Sequence, residues 1–204
     1  MDNFQFNNLQ LDALREISNI GVGNAATAMA MFLKTRVDMS VPAVNVVELN
    51  ELINSSGEKV VIGIIVRVVG DIPGNILILF DDDVAEEIVG YLLGKDEKLD
   101  SEIGTSVLCE VGNILSSSYM NAISKFTKLN VIASVPAVAC DMMSAILSTT
   151  FMESGQFDEY ILDIETVFLS EKDEKNEKQK GVGAHFYYIP APGSLEKILK
   201  TIGI

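Results

Sequence analysis

Ser40-Val41-Pro42-Ala43-Val44 recurs as Ser134-Val135-Pro136-Ala137-Val138, and the second copy sets a register for the rest of the chain. In that register, without a gap, Glu16 falls on Glu110, Asn19 on Asn113, Ile20 on Ile114, Phe32 on Phe126 and Lys34 on Lys128. Agreement sustained from Glu16 to Val44 is the mark of a duplicated unit. The chain reads as one domain made of two repeats, about 1–95 and 96–204, with a pseudo-two-fold arrangement as the simplest geometry. A weaker match sets the run from Ile76 to Phe80 against that from His185 to Ile189. It requires extra residues late in the second repeat, and the charged run 170–180 supplies most of them as a solvated loop or hairpin tip.

Each repeat reads as a long helix, two or three strands and a short helix. Continuous or alternating β-branched runs predict strands over Lys59 to Val69, Asn75 to Phe80, Tyr160 to Leu169 and Val182 to Ile189. The turn signal Ile72-Pro73-Gly74-Asn75 joins the first two as antiparallel neighbours. Short helices are expected from Asp83 to Leu93, opening on a capping box Asp83-Val84-Ala85-Glu86, and from Ser194 to Ile202, with Ser194 as N-cap. Short turns between strands favour a mainly antiparallel sheet, one face of which the long helices cover. The fold class is α+β, an α/β sandwich.

At about 100° per residue, Asp12, Glu16, Asn19 and Gly23 share one helical stripe, and Leu14, Ile17, Gly21, Ala25, Ala28 and Phe32 lie opposite. The second long helix repeats this. Ser106, Glu110, Asn113 and Ser117 form its polar stripe, with Leu108, Val111, Leu115, Tyr119, Ala122 and Phe126 on the buried side. Glutamate and asparagine are ordinary on an exposed helix face. Asparagine is a mediocre helix former, however, and its recurrence mid-helix at matched positions asks for a reason beyond solubility.

A chain of 204 residues that is 48% hydrophobic can build a sizeable core. Its net charge of −14, from 29 acidic against 15 basic residues, opposes nucleic acid or an anionic membrane as partner. Cys109 and Cys140 form no CxxC pair and are expected as buried, reduced thiols. Met1-Asp2-Asn3-Phe4 lacks the basic and apolar regions of a signal peptide, and the longest apolar run contains Arg67, so a cytoplasmic protein without membrane insertion is expected. His185 is the single histidine, which disfavours a histidine-based triad or metal site. Gly21-Val22-Gly23 lacks the third glycine and the preceding strand of a phosphate-binding loop; close helix packing, or room beside Asn19, fits better. The eight methionines, Met29, Met31, Met142 and Met143 among them, are expected to fill gaps in the core.

The doubled pattern resembles that of the CheC family of chemotaxis phosphatases, to which CheX and FliY are related. Its members carry an acidic or serine residue, three residues, Glu, two residues, Asn, twenty-two residues, then Pro. Asp12, Glu16, Asn19 and Pro42 match it once, and Ser106, Glu110, Asn113 and Pro136 match it again. A CheX-like chain would keep one such site and dimerise, and a FliY-like chain would need further domains, which makes CheC the better match. The resemblance implies a phosphatase that speeds hydrolysis of the aspartyl phosphate on a response regulator of the CheY type. It gives Glu16 and Glu110 the task of engaging a lysine of the regulator, and Asn19 and Asn113 that of orienting the attacking water. Asp12 and Ser106 would serve docking or simple solvation, and Pro42 and Pro136 a structural role at a strand entrance or sheet edge.

An acyl phosphate is already activated, so catalysis needs an in-line water held for attack and electrostatic support. The regulator and its Mg²⁺ would provide that support, and no cofactor of the chain's own is expected. A neutral amide accepts a proton from water and donates a second hydrogen bond without bringing negative charge to the phosphoryl group. Such positioning lowers a barrier by about 1.5 to 4 kcal/mol, roughly ten- to a thousandfold in rate. The resemblance also implies association with CheD, a receptor-modifying deamidase, and a chain acting chiefly as a CheD-binding adaptor is the alternative. A monomer is expected, because an internal duplication supplies two-fold symmetry without a second chain.

Overall fold

The computed structural model describes residues 6–34, 38–39, 43–55, 58–94, 98–154, 160–169 and 181–204; Pro42 and the charged run 170–180 lie outside them. The first repeat contributes α1 (Asn8–Leu33), β1 (Asp38–Met39), β2 (Ala43–Glu48), α2 (Leu49–Ser55), β3 (Val60–Gly70), β4 (Gly74–Phe80) and α3 (Asp82–Leu93). The second contributes α4 (Glu102–Thr127), β5 (Val131–Ala133), β6 (Ala137–Met142), α5 (Met143–Ser154), β7 (Tyr160–Leu169), β8 (Gly181–Pro190) and α6 (Ser194–Thr201). The α+β class expected from the sequence is the one observed.

Among the described residues the strands form one antiparallel sheet, ordered β1/β2, β7, β8, β4, β3, β5/β6. Its middle is the β4–β8 pair, where Ile76 faces Tyr188 and Leu79 faces His185. Toward one edge Val60 stands opposite Met142 and Val69 opposite Ile132; toward the other, Tyr160 stands opposite Glu48 and Leu169 opposite Asp38. The sequence register that lays Glu48 on Met142 and Asp38 on Ile132 thus carries one edge onto the other. Each edge strand is hydrogen-bonded to the long strand of the opposite repeat, β2 to β7 and β6 to β3. The repeats are interlocked.

Both faces of the sheet are covered. Ile62, Ile64, Val66, Ile76, Ile78, Phe80, Phe186 and Tyr188 pack into the larger core with α1, α3, α4 and α6. Val61, Leu77, Leu79, Tyr187 and Ile189 turn the other way, against Ile146 and Leu147 of α5. Two-sided burial explains why β3 reads as a continuous apolar run. The long helices cover one face, as the sequence reading expected; α2 and α5 were missed.

Several local expectations are corrected. Helix α3 starts at Asp82 with Asp81 as N-cap, and the expected capping box opening at Asp83 does not form; the Asp81 carboxylate pairs with Lys59 Nζ at 2.6 Å. Gly193, in the left-handed region, caps α6, and Ser194 is the first helical residue, its Oγ donating to the Pro73 carbonyl at 3.0 Å. Phe126 is 47% exposed because it lines a shallow cleft between α1 and α4 with Ile20, Lys125 and Lys128. Cys140 is exposed and Cys109 half-buried; Cys140 lies on edge strand β6, on the wall of a groove between α3 and α4. Met29 is buried as expected, whereas Met31 and Met142 face solvent.

Candidate active site on helices α1 and α4

Helix α1 is started by a capping box in which the Asn7 side chain accepts from Gln10 N–H and the Gln10 side chain accepts from Asn7 N–H, each at 3.0 Å. Ser101 starts α4, its Oγ accepting from Gly104 N–H at 2.9 Å. The helices pack against each other where α1 has no side chain: a Cβ built on Gly21 would stand 2.4 Å from Tyr119 Cδ2. Tyr119 is fully buried, and its hydroxyl shares a 3.2 Å hydrogen bond with Ser18 Oγ. Gly112 brings α4 equally close to the sheet, with Ile64 Cγ2 at 2.4 Å from a built Cβ. Leu14, Ile17, Leu108, Val111 and Leu115 follow into the core. The opposite stripes are thereby turned outward.

Glu16 and Asp12 are exposed on α1, and Asn19 is half-buried. Asp12 accepts a hydrogen bond from Arg15 Nη1 at 3.1 Å, an exposed pair of little energetic weight. On α4, Ser106, Glu110 and Asn113 are exposed; Ser106 Oγ donates back to the Glu102 carbonyl at 2.8 Å. Pro136 lies between β5 and β6 at the sheet edge, beneath the α4 site. Its carbonyl accepts from Cys109 Sγ at 3.8 Å, and its Cβ is 3.4 Å from a Cβ built on Gly112. It therefore supports α4 at the residues preceding Glu110 and Asn113. Each helix carries a glutamate and an asparagine a single turn apart; Glu16, Glu110 and Asn113 face outward, whereas Asn19 is half-buried.

The two asparagines differ. Asn113 Oδ1 accepts from Ser117 Oγ at 3.3 Å. Asn19 Oδ1 is shut off from solvent and has no hydrogen-bond partner among the described residues. The sequence placed Ser117 on the polar stripe but did not assign it as a donor; the one-turn spacing from Asn113 was the available signal. Among the described residues no three His, Cys, Asp or Glu side chains gather as a metal site, and no helix is long and apolar enough to cross a membrane. An exposed carboxylate beside an amide can bind a cationic side chain and hold a water, since the amide both accepts and donates.

Fold and site together define a pseudo-symmetric α+β protein with one Glu–Asn pair on each of two packed helices. The sequence model of the CheC-like family matches residues 9–46 and 103–139, and each segment contains one copy of the pattern. The CheY-P phosphatase CheC of Bacillus subtilis (strain 168) is 33% identical over 201 residues, covering 95% of this chain and 94% of that protein. The chain belongs to the CheC-like family. A putative CheY-P phosphatase, CheC1, of Halobacterium salinarum is 26% identical over 115 residues, 55% of this chain and 59% of that protein. Among solved structures, Thermotoga maritima FliY superposes with a TM-score of 0.72 at 18% identity, covering 96% of each chain, a likeness of fold.

Proposed function

We propose that the chain is a phosphatase that accelerates hydrolysis of the aspartyl phosphate of a CheY-type response regulator. The observation that carries this reading is the matched placement of a Glu–Asn pair, one turn apart, at Glu16 and Asn19 on α1 and at Glu110 and Asn113 on α4, with both glutamates exposed. The 33% identity to a CheY-P phosphatase along almost the whole chain gives it the reaction. The glutamates engage a lysine of the docked regulator, and each asparagine holds a water in line with the phosphoryl group. The water oxygen attacks phosphorus and the bond to the aspartyl oxygen breaks. Its electron pair stays on the regulator's carboxylate, and the water's protons leave with inorganic phosphate. Mg²⁺ belongs to the regulator as part of the substrate.

Positioning and electrostatic support suffice here, because the acyl phosphate is a good leaving system. The test is the decay of a phosphorylated CheY-type regulator, with Mg²⁺, in the presence of the wild-type chain or of Asn19→Ala/Asn113→Ala. Acceleration by wild type alone, with unchanged circular dichroism, is the expected result; equal acceleration by both removes the asparagines from the mechanism. The CheD partnership and the monomeric state belong to the same reading, and a pull-down with CheD and light scattering address them.

A further inference from the structure

We propose that Ser117 is a positioning residue for Asn113, and that Gly23, its counterpart in the first repeat, leaves Asn19 without one. The inference rests on the phosphatase reading above. Ser117 lies one turn after Asn113, and its hydroxyl donates to Oδ1 at 3.3 Å. An amide oxygen has two acceptor positions, so one remains for a water proton while Nδ2 stays free to donate. The bond ties the amide plane of Asn113 to its helix. The water-holding geometry is then present before the regulator arrives, which is where positioning contributes to rate.

The repeat register places Gly23 where α4 has Ser117. Glycine offers no donor, and Asn19 Oδ1 is turned away from solvent with no partner among the described residues. Asn19 must rotate before its oxygen can meet a water, so only a fraction of first-site encounters finds it ready. A Cβ built on Gly23 meets no atom within 4 Å, so a serine fits there without displacing a neighbour. The two sites are unequal in the hydroxyl that only the second has and in the burial of the Asn19 oxygen.

The experiment separates the sites by using full-length Asn19→Ala, which keeps the second, and Asn113→Ala, which keeps the first. In the Asn19→Ala chain, Ser117→Ala is expected to lower the maximal rate of regulator dephosphorylation by about three- to tenfold. The half-saturating regulator concentration stays unchanged, and Ser117→Thr, which keeps the hydroxyl, restores most of the rate. In the Asn113→Ala chain, Gly23→Ser raises the maximal rate by a similar factor. An unchanged rate for Ser117→Ala, or a change confined to half-saturation, overturns the positioning role; an unchanged rate for Gly23→Ser overturns the account of the first site. NMR of the Asn113 side-chain amide gives a readout independent of activity, and its order parameter should fall in Ser117→Ala. If even the wild-type chain does not speed decay, the phosphatase reading fails, and the NMR arm alone decides whether Ser117 holds Asn113.

Discussion

Gly21 and Tyr119 set the spacing of the two site-bearing helices. A methyl group on Gly21 would stand 2.4 Å from the buried ring, which cannot retreat without breaking its contact with Ser18 or its tilted ring contact with Phe186, 4.7 Å between centroids. Gly21→Ala should therefore cost about 1 to 3 kcal/mol, read as a lower urea midpoint at unchanged slope. Glu16→Gln with Glu110→Gln removes the charge that the proposed mechanism offers to a lysine of the regulator. Half-saturation should rise about tenfold, and rates should lose much of their dependence on salt. The outward placement of Glu16, Glu110 and Asn113 was legible because helical periodicity alone orients a side chain; Asn19, expected on the same exposed stripe, is half-buried. The contrast between Asn19 and Asn113 was not legible. It turns on the burial of one oxygen and the reach of one hydroxyl, which depend on side-chain rotation and neighbouring packing.

Strands β3, β4, β7 and β8 were legible almost to their ends, because β-branched runs bounded by turn residues have few other solutions. Helix α5 was hidden by its composition. Ser144, Ser148, Thr149 and Thr150 blur its periodicity; Ser148 and Thr150 satisfy their hydroxyls on the carbonyls of Ser144 and Ile146 one turn back. Burial of Ile146 and Leu147 holds the helix against the sheet where propensity would not. The β3–β4 turn is fastened through Asp71. Its carboxylate accepts from Lys197 Nζ of α6 and from Asn130 N–H after α4, each at 2.8 Å, and the Lys197 hydrogen bond leads in holding its pKa below the ordinary value of 3.8. A depressed carboxyl stabilises the fold above its unfolded pKa and loses that contribution as pH falls through its folded one. Asp71→Asn should thus flatten the fall in urea midpoint below about pH 4. Both long helices end on a lysine in the left-handed region, Lys34 at φ 52° and Lys128 at φ 61°. Glycine at either cap should raise stability by about 1 kcal/mol, seen as a higher Tm.

The repeat pointed to a pseudo-two-fold molecule, but nothing in the sequence said which strands the halves would share. Pairing partners are set by long-range contacts that leave no local signature, and β2 with β7, like β6 with β3, is a pairing across the repeats. A chain cut between residues 95 and 96 should consequently give two fragments without a cooperative thermal transition. Mixed in equal amounts they should recover both the transition and phosphatase activity; independent folding of either fragment would contradict the interlock. The same exchange has a consequence in time. A ribosome releases residues 43–48 long before residues 160–165, the stretch with which they pair. Throughout synthesis of the second repeat the first lacks its neighbour, and the sheet can close only when most of the chain has emerged. A message truncated before β7 therefore yields a product with a bare strand at its margin, the kind of surface that quality-control chaperones and proteases act upon.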